Sequence, residues 1–246
     1  VEGYPFFGYQ RGRYTLQELQ EIDDYAASLG IEVIPCIQTL AHLNAIVDIP
    51  VYRDMVDCDD ILLVGDDRVY TLIDNMFKSL SESLSSRHIN IGMDEAHMIG
   101  RGKFFDQNGE VDRTKLLVKH LSRVAEIAKK YGLTLSMWSD MFFRAGSPTN
   151  EYYDPTASFS EDIIKNIPKN VGLIYWDYYH TEKELYSGMI KKHRELSDYT
   201  IFGGGIWVWG NMVVNYKKTL DVSVPALKAC IENNVSEVFA CMWGDN

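Results

Sequence analysis

The chain has 246 residues, of which 46% are hydrophobic and 24% are charged, a composition typical of a folded domain with a sizeable core. Its formal net charge of −11, with no block rich in lysine and arginine, argues against a nucleic acid or an anionic membrane as a partner. The apolar stretches are too short to cross a bilayer, and no signal-peptide pattern opens the sequence.

The predicted elements alternate between amphipathic helices and short apolar strands. In chain order they are a helix over 15–29, a strand over 31–37, a helix over 69–84, a strand over 89–93, a helix over 114–131, strands over 133–138 and 171–176, a helix over 182–196, a strand over 201–207, a helix over 224–233 and a strand over 237–242. Gly30 and Gly132 follow two of the helices, where a left-handed residue commonly ends a helix. Residues 15–18 and 181–184 match the capping-box pattern.

Helices that alternate with strands through tight turns predict β/α units on a parallel sheet. Six such units predict a (β/α)8 barrel, of which this segment holds roughly the last six strands. We expect one barrel domain over 1–246, with the first strands and the final helix outside the segment. A doubly wound open sheet is the competing fold, but no GxGxxG or Walker loop follows any strand. The glycines at 203–205 lie inside a strand, where they allow bending or close approach of a ligand.

The four cysteines lack the Cys-x-x-Cys spacing of common zinc sites. They are Cys36, Cys58, Cys230 and Cys241, and two of them fall within predicted strands, where a small buried thiol is ordinary. This usage favours a reducing compartment and therefore a cytoplasmic location. Secretion or attachment to the cell surface is the alternative.

Asp94 and Glu95 directly follow the predicted strand over 89–93. Carboxylates at the carboxyl end of a parallel strand lie where β/α folds place their chemistry. Neighbouring side chains on a regular strand point to opposite faces, so both acids can serve one site only if the backbone leaves strand geometry there. We predict that departure at Asp94 or Glu95. The alternative is that both carboxylates cap the next helix and bond loop amides.

All five tryptophans fall at or near the ends of predicted strands. A single tryptophan is usually core material, but several on one rim suit a sugar pocket. Sugar ring C–H groups pack on indole faces, while the hydroxyls need hydrogen-bond partners. Long connections over 41–67, 98–112 and 141–157 follow strand ends, and loops of that length commonly shape a binding site.

The motif Met93-Asp94-Glu95 after Ile-Gly, with an upstream His42 and the later tryptophans, resembles glycoside hydrolase family 20, the β-N-acetylhexosaminidases. The resemblance spans essentially the whole segment, and residues 8–14 resemble a divergent bacterial branch of that family. It implies an exo-acting enzyme that removes terminal N-acetylglucosamine or N-acetylgalactosamine from a glycan or small-molecule substrate, without a cofactor. The mechanism it implies is retaining and substrate-assisted, with an oxazolinium intermediate.

The resemblance also implies roles for individual residues. Glu95 would be the general acid and then the base, and Asp94 would orient the acetamide and stabilise its developing charge. His42 matches a histidine that lies behind the acid, and the aspartate that holds it in the family would lie upstream of Val1. The residues implied to contact the sugar are Trp138, Trp176 and Trp209 around the acetamide and ring, Tyr178 on the acetamide oxygen, Trp243 under the sugar, and Asp245 on the distal hydroxyls.

Two of these positions depart from the commoner family pattern. The acetamide-binding tyrosine usually comes from the following strand, and Tyr178 is equally well interpreted as a rim aromatic that packs under a loop. Family members more often carry glutamate at the position of Asp245, which leaves hydroxyl selectivity open. A lone histidine such as His42 is more often a hydrogen-bonded structural residue than a participant.

Two other functions remain open on the sequence. One is a metal-dependent hydrolase barrel with His42, Asp94, Glu95 and His97 as ligands, since histidine and carboxylate are acceptable ligand types. The other is a sugar-binding module that keeps the pocket but has no catalysis.

Overall fold

The computed structural model describes residues 1–210 and 212–244. They form two compact units, the first made of Val1–Met137 with Asn166–Asn170 and the second of Trp138–Lys165 with the described residues from Val171 on. Within the described ranges, no helix is both long enough and apolar enough to span a membrane.

The first unit contains the described helices that precede the predicted catalytic motif and two helices that follow it. Its elements are α1 (Leu16–Ser28), α2 (Asn44–Val47), a 3-10 helix (Pro50–Met55), β1 (Val56–Cys58), β2 (Ile61–Leu62), α3 (Asp67–Ser83), β3 (His88–Asn90), α4 (Lys103–Asn108), α5 (Arg113–Lys129) and β4 (Thr134–Trp138), whose last residue belongs to the second unit. Strands β3 and β4 pair in parallel, with Ile89 opposite Leu135. Strands β1 and β2 form an antiparallel hairpin.

The core of the first unit includes the apolar faces of two long helices, α3 and α5. Val69, Ile73 and Phe77 of α3 are fully buried, at the i, i+4, i+8 spacing of one helix face. Leu121 and Val124 of α5 are fully buried as well. The N-cap residues of these helices are Asp66 and Asp112, whose carboxylates accept hydrogen bonds from backbone amides of the first turn.

The second unit alternates helices with parallel strands. Its elements are α6 (Asp140–Gly146), α7 (Glu161–Asn166), β5 (Val171–Trp176), α8 (Lys183–Leu196), β6 (Thr200–Gly205), α9 (Tyr216–Glu232) and β7 (Glu237–Cys241), and the last residue of α7 belongs to the first unit. Strand β6 pairs in parallel with both β5 and β7, so the strand order follows the chain order. The carboxyl ends of these strands therefore lie at one edge of the sheet.

Several sequence predictions need correction. The predicted strand over 31–37 is wrong as a regular strand, because only one isolated parallel bridge forms there, between Cys36 and Asn90. Within the predicted connection over 41–67, β1 and β2 form a hairpin whose turn lies at Asp59 and Asp60. Helix α9 begins eight residues earlier than predicted, and Pro225 lies inside it.

The two predicted capping boxes have different outcomes. Thr15 and Glu18 form the reciprocal side-chain to backbone bonds of a capping box at the start of α1, as predicted. At α8 the prediction is wrong, since the residue before the helix is Glu182 and it makes no side-chain cap. The hydroxyl of Thr181 bonds the carboxylate of Glu182 instead of a backbone amide of the helix.

Candidate active site

The backbone leaves strand geometry immediately before the two predicted catalytic acids. Strand β3 ends at Asn90, and Gly92, Met93 and Glu95 have φ angles of +69°, +72° and +51°. The predicted departure at Asp94 or Glu95 is therefore confirmed. Left-handed residues other than glycine cost about 1–3 kcal/mol each and cluster at functional sites. In this backbone, neighbouring side chains no longer alternate between two faces, so Asp94 and Glu95 can serve the same site.

His42 contacts both of these acids. Its Nε2 atom lies 3.3 Å from Oδ2 of Asp94 and 3.5 Å from Oε2 of Glu95. The structure thus brings His42, which the resemblance places behind the acid, together with the two predicted catalytic acids. A fourth group was not predicted: Oδ2 of Asp60, in the turn between β1 and β2, lies 3.9 Å from Nδ1 of His42.

The surrounding carboxylates hold His42 in its charged form. They raise its pKa to about 9, chiefly through the hydrogen bond with Asp94, with further attraction from the charges of Asp94, Asp60 and Glu95. Partial burial of the ring acts in the opposite direction. At neutral pH the site therefore contains an imidazolium that lies beside the side chains of Asp60, Asp94 and Glu95.

A second residue without a predicted role, Gln38, contacts the opposite oxygen of Asp94. Its side-chain Nε2 donates to Oδ1 of Asp94 at 2.8 Å, and its Oε1 accepts from the backbone N–H of Met93 at 3.2 Å. Gln38 stands just after the segment that runs beside β3, where Ile37 N–H donates to the carbonyl of Asn90. Its place at a strand end was visible in the sequence, but its partner lies 56 residues away.

A buried histidine fixes the loop that carries Gln38 and His42. Nε2 of His120 lies 2.9 Å from the carbonyl oxygen of Thr39, which can only accept, so Nε2 carries the hydrogen. Nδ1 is then left to accept from the hydroxyl of Tyr70 at 3.2 Å. Full burial lowers the pKa of His120 to about 4, so this histidine is neutral under ordinary conditions.

Asp57 ties the β1–β2 hairpin to the segment that follows Glu95. Its buried carboxylate accepts hydrogen bonds from the backbone amides of Gly100, Gly102 and Phe104 at 2.7, 3.2 and 2.8 Å. A carboxylate with three amide donors is well satisfied despite burial. The hairpin that presents Asp60 to His42 is thereby anchored within the first unit.

The predicted sugar-contacting aromatics lie in the second unit, where most of them contact one another. Trp176 stacks on Tyr178 at a ring separation of 5.4 Å, Tyr178 meets Trp209 edge-on at 5.5 Å, and Trp138 lies 6.1 Å from Trp243. Such rings pack with favourable offset or edge-to-face geometry. The remaining predicted contact, Asp245, lies outside the described residues.

Two details bear on the roles of these aromatics. The hydroxyl of Tyr178 donates to Sγ of Cys241 at 3.2 Å, and the residue is buried. Trp207 is buried too, and its indole N–H donates to the backbone carbonyl of Tyr178 at 2.8 Å, so it is a core residue of this unit. Sugar binding by the aromatics that the sequence analysis singled out stays a prediction.

The metal-site alternative has no support in the donor geometry of the described residues. Within 1–210 and 212–244, no group of three or more histidine, cysteine, aspartate and glutamate side chains is arranged to hold a metal ion. His97 makes backbone contacts in the segment that follows Asp94 and Glu95. Its N–H donates to the carbonyl of Glu95, and its own carbonyl accepts from the guanidinium of Arg113.

Residues 8–182 match the family model described as glycosyl hydrolase family 20, catalytic domain. The chain belongs to this family. The match runs through Gln38, His42 and the Asp94-Glu95 pair, so the site lies within the family's catalytic domain. The family assignment made from the sequence is confirmed, whereas its assignment to a bacterial branch remains a prediction.

Known proteins similar to the chain include hexosaminidase D of Bos taurus, 23% identical over 84% of this chain and 58% of that protein. A solved β-N-acetylhexosaminidase is 18% identical, with a TM-score of 0.67 over 100% of this chain and 56% of its own. An exo-β-N-acetylglucosaminidase from Vibrio harveyi, solved in complex with N-acetylglucosamine, is 16% identical, with a TM-score of 0.56 over 79% of this chain and 29% of its own.

These similarities establish the fold class. Structures of this family are (β/α)8 barrels, and the parallel strands of the two units are consistent with a partial barrel, as the sequence predicted. The chain spans little more than half the length of hexosaminidase D. It also spans little more than half the length of the solved β-N-acetylhexosaminidase that aligns with the whole chain.

Proposed function

We propose that the protein is an exo-β-N-acetylhexosaminidase that releases terminal N-acetylglucosamine or N-acetylgalactosamine with retention of configuration. The observation that carries the proposal is the contact of His42 with both Asp94 and Glu95, at a point where the backbone lets both acids serve one site. Membership of glycosyl hydrolase family 20 supports it.

In the first step, Glu95 donates its proton to the glycosidic oxygen while the acetamide oxygen of the substrate attacks the anomeric carbon. The bond to the leaving group breaks, and a cyclic oxazolinium ion forms. In the second step, Glu95 takes a proton from water as the water attacks the same carbon. The ring then opens, which regenerates the acetamide and leaves the sugar with its original anomeric configuration.

Asp94 acts on the nitrogen of the same acetamide group. As the acetamide oxygen attacks, positive charge develops on that nitrogen. A fixed carboxylate that accepts a hydrogen bond from the N–H stabilises this charge. The same hydrogen bond holds the acetamide in the orientation needed for attack. A rigid Asp94 therefore contributes to both the position and the electrostatics of the reacting group.

His42 compensates the charge that appears on Glu95. When Glu95 gives up its proton, a new carboxylate forms 3.5 Å from an imidazolium. That attraction favours the oxazolinium stage over the starting state. The raised pKa of His42 keeps this charge present through neutral pH.

For the second unit we propose that Trp138, Trp176 and Trp209 contact the acetamide and sugar ring and that Trp243 stacks under the sugar. Tyr178 would bind the acetamide oxygen, which requires its hydroxyl hydrogen to turn away from Cys241 when substrate arrives. Asp245 would accept hydrogen bonds from the distal hydroxyls. These assignments follow from the residue types and the family resemblance.

Glu95→Gln tests the proposal with two substrates. Methyl N-acetyl-β-glucosaminide has a poor leaving group that needs a proton, whereas a dinitrophenyl glycoside does not. We expect kcat on the methyl glycoside to fall by about 10²–10⁴-fold. On the aryl glycoside, the rate of the first step should fall much less, because its leaving group needs no proton. Glu126→Gln, on the exposed face of α5, is the matched control and keeps full activity.

Full activity of Glu95→Gln on the methyl glycoside would overturn the assignment of the acid. Loss of wild-type activity in EDTA, with recovery on addition of zinc, would favour a metal-dependent hydrolase. Calorimetry that detects tight binding of N-acetylglucosamine, together with no turnover of either glycoside, would favour an inert sugar-binding module.

A further inference from the structure

We propose that Gln38 is a positioning residue for Asp94, and that its side-chain amide locks the carboxylate in the orientation that receives the N–H of the substrate acetamide. This inference rests on the proposed function, because it gives Gln38 its role through Asp94.

The orientation of the Gln38 amide is fixed by its second partner. The backbone N–H of Met93 can only donate, so the amide oxygen of Gln38 must face Met93. The amide nitrogen must then face Oδ1 of Asp94, 2.8 Å away. A single side chain thus links the backbone that precedes Asp94 to the carboxylate itself, so the two cannot shift independently.

The close approach of Gln38 depends on a missing side chain at position 92. A Cβ on Gly92 would lie 2.0 Å from Oε1 and 2.5 Å from Cδ of Gln38, and 2.9 Å from the carbonyl oxygen of Ile37. These distances are far inside van der Waals contact. Gly92 therefore provides the space in which the Gln38 amide reaches Met93 and Asp94 together.

The two oxygens of Asp94 have different partners. Oδ1 accepts from the neutral amide of Gln38, while Oδ2 faces the charged imidazole of His42 at 3.3 Å. With both oxygens held from the protein side, rotation of the carboxylate about its terminal bond is opposed. Each oxygen keeps a further lone pair, which leaves an acceptor site for a substrate N–H.

The test is Gln38→Glu, which preserves the length and the acceptor for Met93 but replaces the donor to Asp94 with a repelling carboxylate oxygen. Gln17→Glu is the matched control, because Gln17 also donates its amide to a carboxylate, that of Glu21 at 2.9 Å, but on the exposed surface of α1. A misplacement of about 1 Å at a reacting group costs about 10²-fold. We expect kcat of Gln38→Glu on an aryl N-acetyl-β-glucosaminide to fall by about that factor, with a smaller change in KM.

A double-variant experiment separates positioning from general damage. In an Asp94→Ala background, Gln38→Glu is expected to cause no further loss of kcat, because the group that it positions is already gone. Additive losses would mean that Gln38 acts by another route and would overturn the proposal. Wild-type kcat in Gln38→Glu would do the same. If the glutamate variant does not fold, Gln38→Met, which has a similar length and no amide, takes its place with the same expected loss.

Crystal structures distinguish failure of this inference from failure of the proposed function. If the wild-type protein hydrolyses no hexosaminide, the proposed function fails, but Gln38 can still be judged. A displaced or rotated Asp94 carboxylate in the Gln38→Glu structure supports the positioning role. If the Asp94 carboxylate keeps its wild-type position although the side chain at position 38 can no longer donate to it, the positioning role is overturned.

Discussion

Asp60 and His42 meet across the side of the imidazole that faces away from the two catalytic acids. Oδ2 of Asp60 lies 3.9 Å from Nδ1 of the ring, whereas Asp94 and Glu95 approach Nε2. The family resemblance implies that an aspartate holds this histidine. Within the described residues, a carboxylate from the β1–β2 turn also faces that nitrogen.

We predict that Asp60→Asn lowers the pKa of His42. An opposite charge about 4–6 Å away raises the pKa of a histidine, so its removal makes the imidazolium easier to deprotonate. In the wild-type protein the charge is present below a pKa of about 9 and is lost as pH rises through that value. In the variant this loss occurs at lower pH, because the attraction from Asp60 is gone. NMR titration of labelled histidine, with His42→Gln used for assignment, measures it.

Asp59→Asn is the control for that titration. Asp59 is the other residue of the turn, it is exposed, and the charges that raise the pKa of His42 do not include its carboxylate. Its φ of +47° is tolerated by asparagine, so the substitution leaves the turn intact. Equal downward shifts in the two variants would mean that general surface charge, rather than the Asp60 contact, determines the pKa of His42.

We predict that Gly92→Ala destabilises the fold and abolishes most activity. The added methyl group would lie 2.0 Å from Oε1 of Gln38, and the φ of +69° adds about 1–2 kcal/mol for a residue with a Cβ. Relief of the clash requires Gln38 to withdraw from Asp94. Chemical unfolding and kcat on an aryl N-acetyl-β-glucosaminide measure the two effects.

Gly30→Ala separates the clash from the backbone cost. Gly30 follows α1 with a φ of +72°, yet a Cβ there meets no heavy atom within 4 Å. Gly30→Ala should therefore lose only the backbone contribution and keep full kcat. If Gly92→Ala is no worse than Gly30→Ala in stability and activity, the packing of Gln38 on Gly92 is not needed for the site.

The sequence was sufficient wherever periodicity and strand ends determine the structure. The buried face of α3 and the apolar run of β5 follow directly from residue pattern, and the parallel strand order follows from the helix–strand alternation. The grouping of His42 with Asp94 and Glu95 was implied by the resemblance to glycoside hydrolase family 20, in which a histidine lies behind the acid. Even the break in strand geometry followed from the need to turn two adjacent side chains to one site.

Other features depend on contacts that no local pattern encodes. The segment over 31–37 has strand-like composition, but it forms only one parallel bridge, between Cys36 and Asn90. Gln38 acts on a carboxylate 56 residues away, and Asp60 is brought to His42 by a hairpin that Asp57 anchors. The role of such residues becomes visible only when the chain is folded.

His42, in the loop over 38–42, and His120, which contacts that loop, should affect stability in different pH ranges. His120 has a folded pKa of about 4, below its ordinary 6.5, so the unfolded chain binds a proton more readily, and stability falls as pH drops from about 6.5 to 4. This change amounts to about 3 kcal/mol. His42 has a folded pKa of about 9, so its stabilisation is present below pH 6.5 and is lost as pH rises towards 9.

Urea unfolding of the wild type, His120→Gln and His42→Gln across pH 4–9 tests both signs. The difference between wild type and His120→Gln should change with pH only below about 6.5, and wild type should lose its advantage as the solution becomes more acidic. The difference for His42→Gln should change only above about 6.5, with wild type losing its advantage as the solution becomes more basic. Each variant thus serves as the control for the other, because one imidazole belongs to the loop over 38–42 and the other contacts that loop at Thr39. A pH-independent difference for His120→Gln would mean that His120 shares the proton affinity of the unfolded chain, and the hydrogen-bond chain from Tyr70 to Thr39 would then not require a neutral ring.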